Sequence, residues 1–139
     1  MRFRRSVKIA RDSRVSFVHA LEDGLLERHM ASIATNTWRA KTKIADATTG
    51  EIRDEMKRVG RHIEAIYRNL GELGIIIRDH TGEPYDEGQP MKVVASKPTV
   101  GLTKKRVSET LLPSIFWYDH LIQNGEVEIA IPTNEMETL

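Results

Sequence analysis

The chain has 139 residues, 21 lysines and arginines against 20 aspartates and glutamates, no cysteine and a formal net charge of +1. This length fits one domain, or one small domain with an extended element. The absence of cysteine excludes a disulfide scaffold, a Cys-ligated zinc site and a thiol nucleophile. No apolar run reaches the roughly 20 residues of a membrane-spanning helix. No apolar segment of signal-peptide length follows the basic start, so we expect a cytoplasmic protein.

The charge is distributed unevenly along the chain. Residues 1–74 hold 15 lysines and arginines against 10 acidic residues, a net +5, whereas residues 75–139 hold 6 against 10, a net −4. Different surfaces are therefore expected to meet different partners.

The first 18 residues are predicted to form a basic β hairpin. β-branched and aromatic residues alternate there with cations, and a turn is expected at Arg11–Ser13. A strand face of this kind would contact phosphate groups, which makes weak nucleic-acid binding one alternative function. The candidate anion-binding residues are Arg2, Arg4, Arg5 and Lys8.

Residues 19–74 are predicted to be helical, with a break near residues 48–50. The strongest pattern is a run of seven apolar residues at alternating spacings of four and three, which predicts a coiled coil and a homodimer through this stripe. The sequence leaves open whether the chain continues past residue 50 as one helix or turns back as a helical hairpin. The predicted oligomerisation residues are Ile52, Met56, Val59, Ile63, Ile66, Leu70 and Leu73.

The period changes to that of strands after Gly74, so residues 75–132 are predicted to form a small antiparallel β module, followed by a loose tail at 133–139. Asn124-Gly125 is a strong signal for a two-residue hairpin turn. The aromatic run Phe116-Trp117-Tyr118 is expected mainly in the core of this module, with an exposed binding edge as the alternative. The predicted fold class is therefore α+β, a heptad-patterned coiled-coil helix followed by a small antiparallel β module, with an N-terminal basic hairpin. Strands are expected at residues 75–77, 91–96, 106–112 and 126–131.

The sequence contains no recognisable arrangement of catalytic, metal-binding or phosphate-binding residues. His80 and His120 each follow an aspartate, but their spacing matches no established set of metal ligands. No serine neighbours a histidine, and no glycine-rich phosphate-binding loop precedes a helix. We therefore expect no enzymatic activity, no metal site and no cofactor.

The junction between the heptad run and the β module has a distinctive order. Gly74 ends the helix, Ile75 opens an extended stretch, and Asp79 precedes the segment Gly82-Glu83-Pro84-Tyr85-Asp86. This order resembles GrpE, the nucleotide exchange factor of DnaK-type chaperones, mainly over residues 52–86. The resemblance implies a parallel coiled-coil homodimer with C-terminal β domains.

The predicted function is that of a non-enzymatic, protein-binding co-chaperone of the GrpE type. In this interpretation the β module binds the nucleotide domain of a DnaK-type chaperone. The main alternative is a structural or adaptor subunit of a larger protein assembly. The nominated partner-binding residues are Arg78, Asp79, Tyr85, Asp86, Gln89 and Lys92.

Overall fold

The computed structural model describes residues 24–133. The predicted basic hairpin, with Arg2, Arg4, Arg5 and Lys8, lies outside this range, as does nearly all of the predicted tail. Neither of the two α-helices in the described range is long and apolar enough to cross a membrane. The elements are α1 (Leu25–Ile44), a 3-10 turn (Asp54–Met56), α2 (Lys57–Glu72), β1 (Ile75–Arg78), β2 (Met91–Thr99), β3 (Arg106–Leu112), β4 (Ser114–Trp117), β5 (His120–Gln123) and β6 (Gly125–Pro132).

The predicted long coiled-coil helix is wrong. α1 ends at Ile44, and α2, which contains most of the heptad run, is only 16 residues long. The two helices pack against each other as a hairpin, the alternative that the sequence had left open. The heptad spacing specifies an apolar side on a helix, and that side can pack on a neighbouring helix of the same chain instead of on a second chain.

The connection between the helices explains why the chain turns back. The Asp46 carboxylate accepts hydrogen bonds from the backbone N–H groups of Thr48 and Thr49, at 2.8 and 3.1 Å. These bonds, helped by the charge of Arg53, lower the pKa of Asp46 against the smaller, opposite effect of burial. Gly50 then adopts a φ of 73°, which few other residues tolerate. The Thr48-Thr49-Gly50 break is therefore a turn, which the Asp46 hydrogen bonds and the conformation of Gly50 stabilise.

The heptad positions divide into a buried and an exposed set. Ile63 and Leu70 are buried beneath the hairpin, whereas Val59, Ile66 and Leu73 are 49%, 42% and 56% exposed. Ile52 and Met56 are half-buried. The exposed three are spaced by seven residues, so Val59 and Ile66 share one side of α2 with Leu73, the residue directly after the helix. α1 thus covers only part of the apolar stripe, and one side remains open.

The β module consists of two three-stranded sheets. The first sheet has the order β1-β4-β5, and both of its strand pairs are antiparallel. The second has the order β2-β6-β3, and β2 pairs with β6 in parallel. The prediction of an antiparallel module is therefore wrong for one of its four strand pairs. A parallel pair needs a long crossover connection, and here the intervening chain forms β3, β4 and β5.

Each sheet has its own apolar core. The inner face of the first sheet packs on the helical hairpin, where Ala34, Leu70, Ile75 and Ile115 form one buried cluster. The core of the second sheet is also one buried cluster, to which Tyr85, Met91 and Val93 add partly buried side chains. Its fully or nearly buried members are Val107, Val127, Ile129 and Ile131.

The two sheets meet where the chain passes between them, at Pro113 and again at Asn124. The predicted hairpin at Asn124-Gly125 is wrong, because β5 and β6 belong to different sheets. Gly125 is needed for a different reason: a Cβ there would lie 2.8 Å from Ser114 Oγ and 3.1 Å from the Leu112 carbonyl oxygen. The glycine therefore serves a close crossing of strands instead of a tight turn.

Candidate protein-binding surface

An apolar row lies on the outer face of the first sheet, opposite the helices. The register pairs Ile76 with Phe116 and Phe116 with Leu121, so the three side chains lie side by side on one face. Ile76 is 55% exposed and Leu121 is 41% exposed. Apolar side chains aligned in this way on a rigid sheet are typical of a surface that contacts another macromolecule.

Tyr118 extends this row by one position. The Tyr118 backbone N–H donates to the Gly74 carbonyl oxygen at 3.0 Å, which continues the β1–β4 pairing beyond Ile75 and Trp117. The tyrosine ring lies directly over Gly74, so closely that a Cβ at this position would be only 2.5 Å from a ring carbon. Even so, Tyr118 is 68% exposed. We call Ile76, Phe116, Tyr118 and Leu121 the outer apolar surface.

The turn that carries Tyr118 is strained. Tyr118 and Asp119 connect β4 to β5 and have φ values of 47° and 66°. A two-residue hairpin turn with both φ values positive strongly prefers Asn-Gly or similar pairs, and a tyrosine there costs about 1 kcal/mol. Backbone strain at an exposed aromatic residue favours the hypothesis that the side chain has a function beyond stability.

A hydrogen-bonded network stands at one end of the outer apolar surface. Arg78, which follows Ile76 on the same face of β1, pairs with Glu83 at 3.4 Å. The other Glu83 oxygen lies 3.0 Å from Nδ1 of His80, whose side chain is fully buried. His80 Nε2 lies 2.7 Å from Ser114 Oγ.

The network determines the protons on His80. Ser114 Oγ donates its one proton to the Pro90 carbonyl oxygen at 2.6 Å and accepts from Gly125 N–H at 3.1 Å. It must therefore accept from His80 Nε2–H. The Glu83 carboxylate can only accept, so Nδ1 must also carry a proton. We infer that His80 is an imidazolium ion paired with Glu83, and the His80 hydrogen bond is the largest cause of the lowered pKa of Glu83.

Asp79 fixes the β1 end of the module to the first helix. Its carboxylate accepts from the Trp38 indole N–H at 3.1 Å and from the Thr81 backbone N–H at 2.9 Å. Burial would raise the pKa of Asp79, but the hydrogen bonds from Thr81, Thr110 and Trp38 outweigh it and lower the pKa. Asp79 is thus a positioning residue in this structure.

The other nominated partner-binding residues fall into two groups. Tyr85 is half-buried against the core of the second sheet, and Gln89 accepts from the Asp86 backbone N–H through its side-chain oxygen at 3.2 Å. Asp86 and Lys92 have exposed side chains. Of the six nominated residues, only Arg78 adjoins the outer apolar surface through the pairing of its own strand.

The residues of the outer apolar surface were not nominated from the sequence. The aromatic run Phe116-Trp117-Tyr118 was the available signal, and it was interpreted mainly as core. Strand alternation divides Trp117 from Phe116: Trp117 faces the helices and donates its indole N–H to the Leu73 carbonyl oxygen, whereas Phe116 lies on the other face of the sheet. Tyr118 follows β4 in the turn and is 68% exposed. The register that places Ile76 and Leu121 beside Phe116 is not visible in the sequence.

A separate cleft of about 570 Å³ lies where the helical hairpin meets β1. Trp38 and Asp79 line it but bond to each other, and Lys41 lies over the Tyr67 ring at 4.6 Å while pairing with Glu64 at 3.0 Å. Burial, followed by the charges of Glu64 and Asp79, raises the pKa of Tyr67 to about 12. The polar groups of this cleft are thus largely engaged with one another, which favours the open outer surface as the binding candidate.

The sequence matches no protein-family model, and a search of the curated proteins returns no significant match.

Proposed function

We propose that this chain is a non-enzymatic protein-binding module whose outer apolar surface docks on a partner, and that the partner is a DnaK-type chaperone. The observation that carries the proposal is Tyr118, a strained and 68% exposed aromatic residue at the end of an apolar row. The choice of partner rests on the GrpE-like order of residues 74–86. A cytoplasmic location is part of the same proposal.

The mechanism needs no bond chemistry. If the outer apolar surface fits the open, nucleotide-free form of the chaperone better than the closed form, binding shifts the population toward the open form and ADP leaves faster. The size of the effect is limited by the difference between the two affinities. Exposed aromatic and aliphatic residues on a rigid sheet supply such a difference through shape.

Release of labelled ADP from a DnaK-type chaperone, with and without this protein, tests the proposal. We expect faster release that saturates with protein concentration. Stable association with the chaperone and unchanged ADP release would favour the adaptor alternative. Neither association nor faster release would contradict the proposed partner.

Replacing Tyr118 by asparagine should separate binding from stability. Asparagine tolerates a positive φ, so relief of about 1 kcal/mol of strain offsets the lost contacts of the ring with Gly74 and Trp117. We expect partner affinity to fall at least tenfold while the free energy of unfolding changes by less than about 0.5 kcal/mol. Val100→Asn is the matched control, because Val100 is 89% exposed in the loop between β2 and β3. Equal binding by the Tyr118 variant and the native protein would remove Tyr118 from the interface.

Self-association through α2 is a further part of the proposal, although not as a coiled coil. Val59, Ile66 and Leu73 form an exposed apolar side of α2 that the hairpin does not cover. Burying this side against a second copy would stabilise a homodimer by removing apolar area from water.

Ile66→Glu tests the dimer without disturbing the core, because Ile66 is 42% exposed. We expect the native protein to have twice the chain mass by light scattering and the variant to be a folded monomer. Val94→Glu, at a site 44% exposed on β2, should remain dimeric. A monomeric native protein, or a dimeric Ile66 variant, would contradict this interface.

A further inference from the structure

A groove runs along one side of the helical hairpin, between residues 50–52 of the connection and α2. Its volume is about 760 Å³, and Ile52 and Gly60 contribute to its floor. A Cβ at Gly60 would lie 2.9 Å from Ile52 Cδ1, so the glycine lets the connection lie directly on the helix. The groove therefore has a fixed apolar floor.

The rim of the groove is predominantly basic. Lys41, Lys57, Arg61 and Arg68 line it, with Glu51 and Glu64 as the acidic lining residues. Glu64 forms an ion pair with Lys41 at 3.0 Å, and Lys57 forms one with Asp54 at 2.9 Å. Arg61 and Arg68 form no ion pair with any residue between 24 and 133. The rim thus keeps two guanidinium groups for an incoming anion.

The spacing of these cations suits an extended peptide. Lys57 and Arg61 are four residues apart on α2, or about 6 Å along the helix axis. Alternate residues of an extended chain are about 6.6 Å apart and point to the same side, while the intervening residues point to the other. A segment that alternates acidic and apolar residues would present carboxylates to the rim and apolar side chains to the floor.

We propose that this groove binds an acidic, partly apolar peptide segment of a protein partner. The lining contains cations for carboxylates and an apolar floor, but no aromatic side chain on which a nucleic-acid base would stack. Guanidinium groups form paired hydrogen bonds with carboxylates, which gives the binding both charge and direction. This inference does not depend on the proposed exchange function, because the groove shares no residue with the outer apolar surface.

The groove also remains open if the chain forms the proposed dimer. Successive helical residues are rotated by about 100°, which places Arg61 and Arg68 about 140–160° from Ile66 around α2. The apolar side of Val59, Ile66 and Leu73 therefore faces away from the basic rim. A second copy on that side and a peptide in the groove would bind together.

Fluorescence anisotropy with a labelled eight-residue peptide of alternating aspartate and leucine tests the inference on the full chain. We expect saturable binding that weakens as salt rises. An aspartate-serine peptide should bind at least fivefold more weakly because it cannot use the apolar floor. An asparagine-leucine peptide should not bind measurably.

The double variant with Arg61→Gln and Arg68→Gln should bind the aspartate-leucine peptide at least tenfold more weakly than the native protein. The matched control is Arg39→Gln with Arg58→Gln, which removes the same charge from exposed helical positions outside the groove lining. The control pair should change affinity less than twofold. The proposal would be overturned by equal losses of peptide affinity in the two double variants or by the absence of saturable peptide binding. Tighter binding of a labelled oligothymidine than of the aspartate-leucine peptide would also overturn it.

Discussion

Replacing Glu83 by alanine is expected to lower the free energy of unfolding by about 2–3 kcal/mol, because the buried His80 ring loses its counter-charge. The fully buried ring lies 3.0 Å from a Glu83 oxygen, and the glutamate itself is partly exposed, so the expected loss is smaller than the roughly 3–5 kcal/mol for breaking a fully buried pair. Chemical denaturation measures the effect. Glu109→Gln is the control, because Glu109 is exposed on β3 and should change stability by less than about 0.5 kcal/mol.

The same carboxylate should make the protein lose stability in acid. The His80 hydrogen bond, and to a smaller extent Arg78, lower the pKa of Glu83 from its ordinary value of 4.5. A carboxyl group whose pKa is lower in the folded state stabilises the fold fully above its unfolded pKa, and this contribution is lost as the pH falls through the folded pKa. Below about pH 4.5 the native protein should therefore lose stability more steeply than Glu83→Ala.

Glu83→Gln separates the charge of this pair from its hydrogen bonds. A neutral His80 ring with its proton on Nε2 still donates to Ser114, and the glutamine amide donates to Nδ1. The network remains complete, so we expect a loss of only about 1 kcal/mol. Nitrogen NMR shifts should show two protonated ring nitrogens on His80 in the native protein and one in this variant. Equal losses for the alanine and glutamine variants, or a singly protonated native ring, would contradict the ion pair.

Four of the six strands were predicted from the sequence, but β4, β5 and the partners of all the strands were not. The runs beginning at Ile75, Met91 and Arg106 alternate or are rich in β-branched residues, and all three lie in strands. The parallel pairing of β2 with β6 joins segments more than 30 residues apart, such as Val93 with Val127. Local periodicity contains no information about such pairs, because the same alternation serves a parallel and an antiparallel neighbour.

For the helices too, the sequence pattern predicted the buried positions but not the element that covers them. The apolar positions of the heptad run are real, since Ile63 and Leu70 are buried. The spacing does not say whether the covering helix belongs to the same chain, and that depended on the turn built by Asp46. The outer apolar surface was missed for a related reason: Tyr118-Asp119 is an unfavourable pair for a tight turn, whereas Asn124-Gly125 fits a turn well but lies at a strand crossing.

Ser114→Ala is expected to lower the free energy of unfolding by about 3 kcal/mol. Ser114 Oγ connects three parts of the chain: it donates to the Pro90 carbonyl oxygen and accepts from His80 and from Gly125 N–H. Alanine leaves the buried His80 Nε2–H without an acceptor, and each buried group left unpaired costs about 1–3 kcal/mol. Gly125 N–H keeps its second contact, with Pro90 at 3.2 Å, which limits the loss.

Ser108→Ala is the matched control for this change. Its hydroxyl also donates to a carbonyl oxygen, that of Glu128 at 3.1 Å, but from an exposed position on β3. Water replaces that partner, so stability should change by less than about 0.5 kcal/mol. If Ser114→Ala cost no more than Ser108→Ala, the hydrogen bonds at the strand crossing would not determine the stability of the β module. The assignment of both His80 protons would then lose its basis, because that assignment requires Ser114 Oγ to accept from the ring.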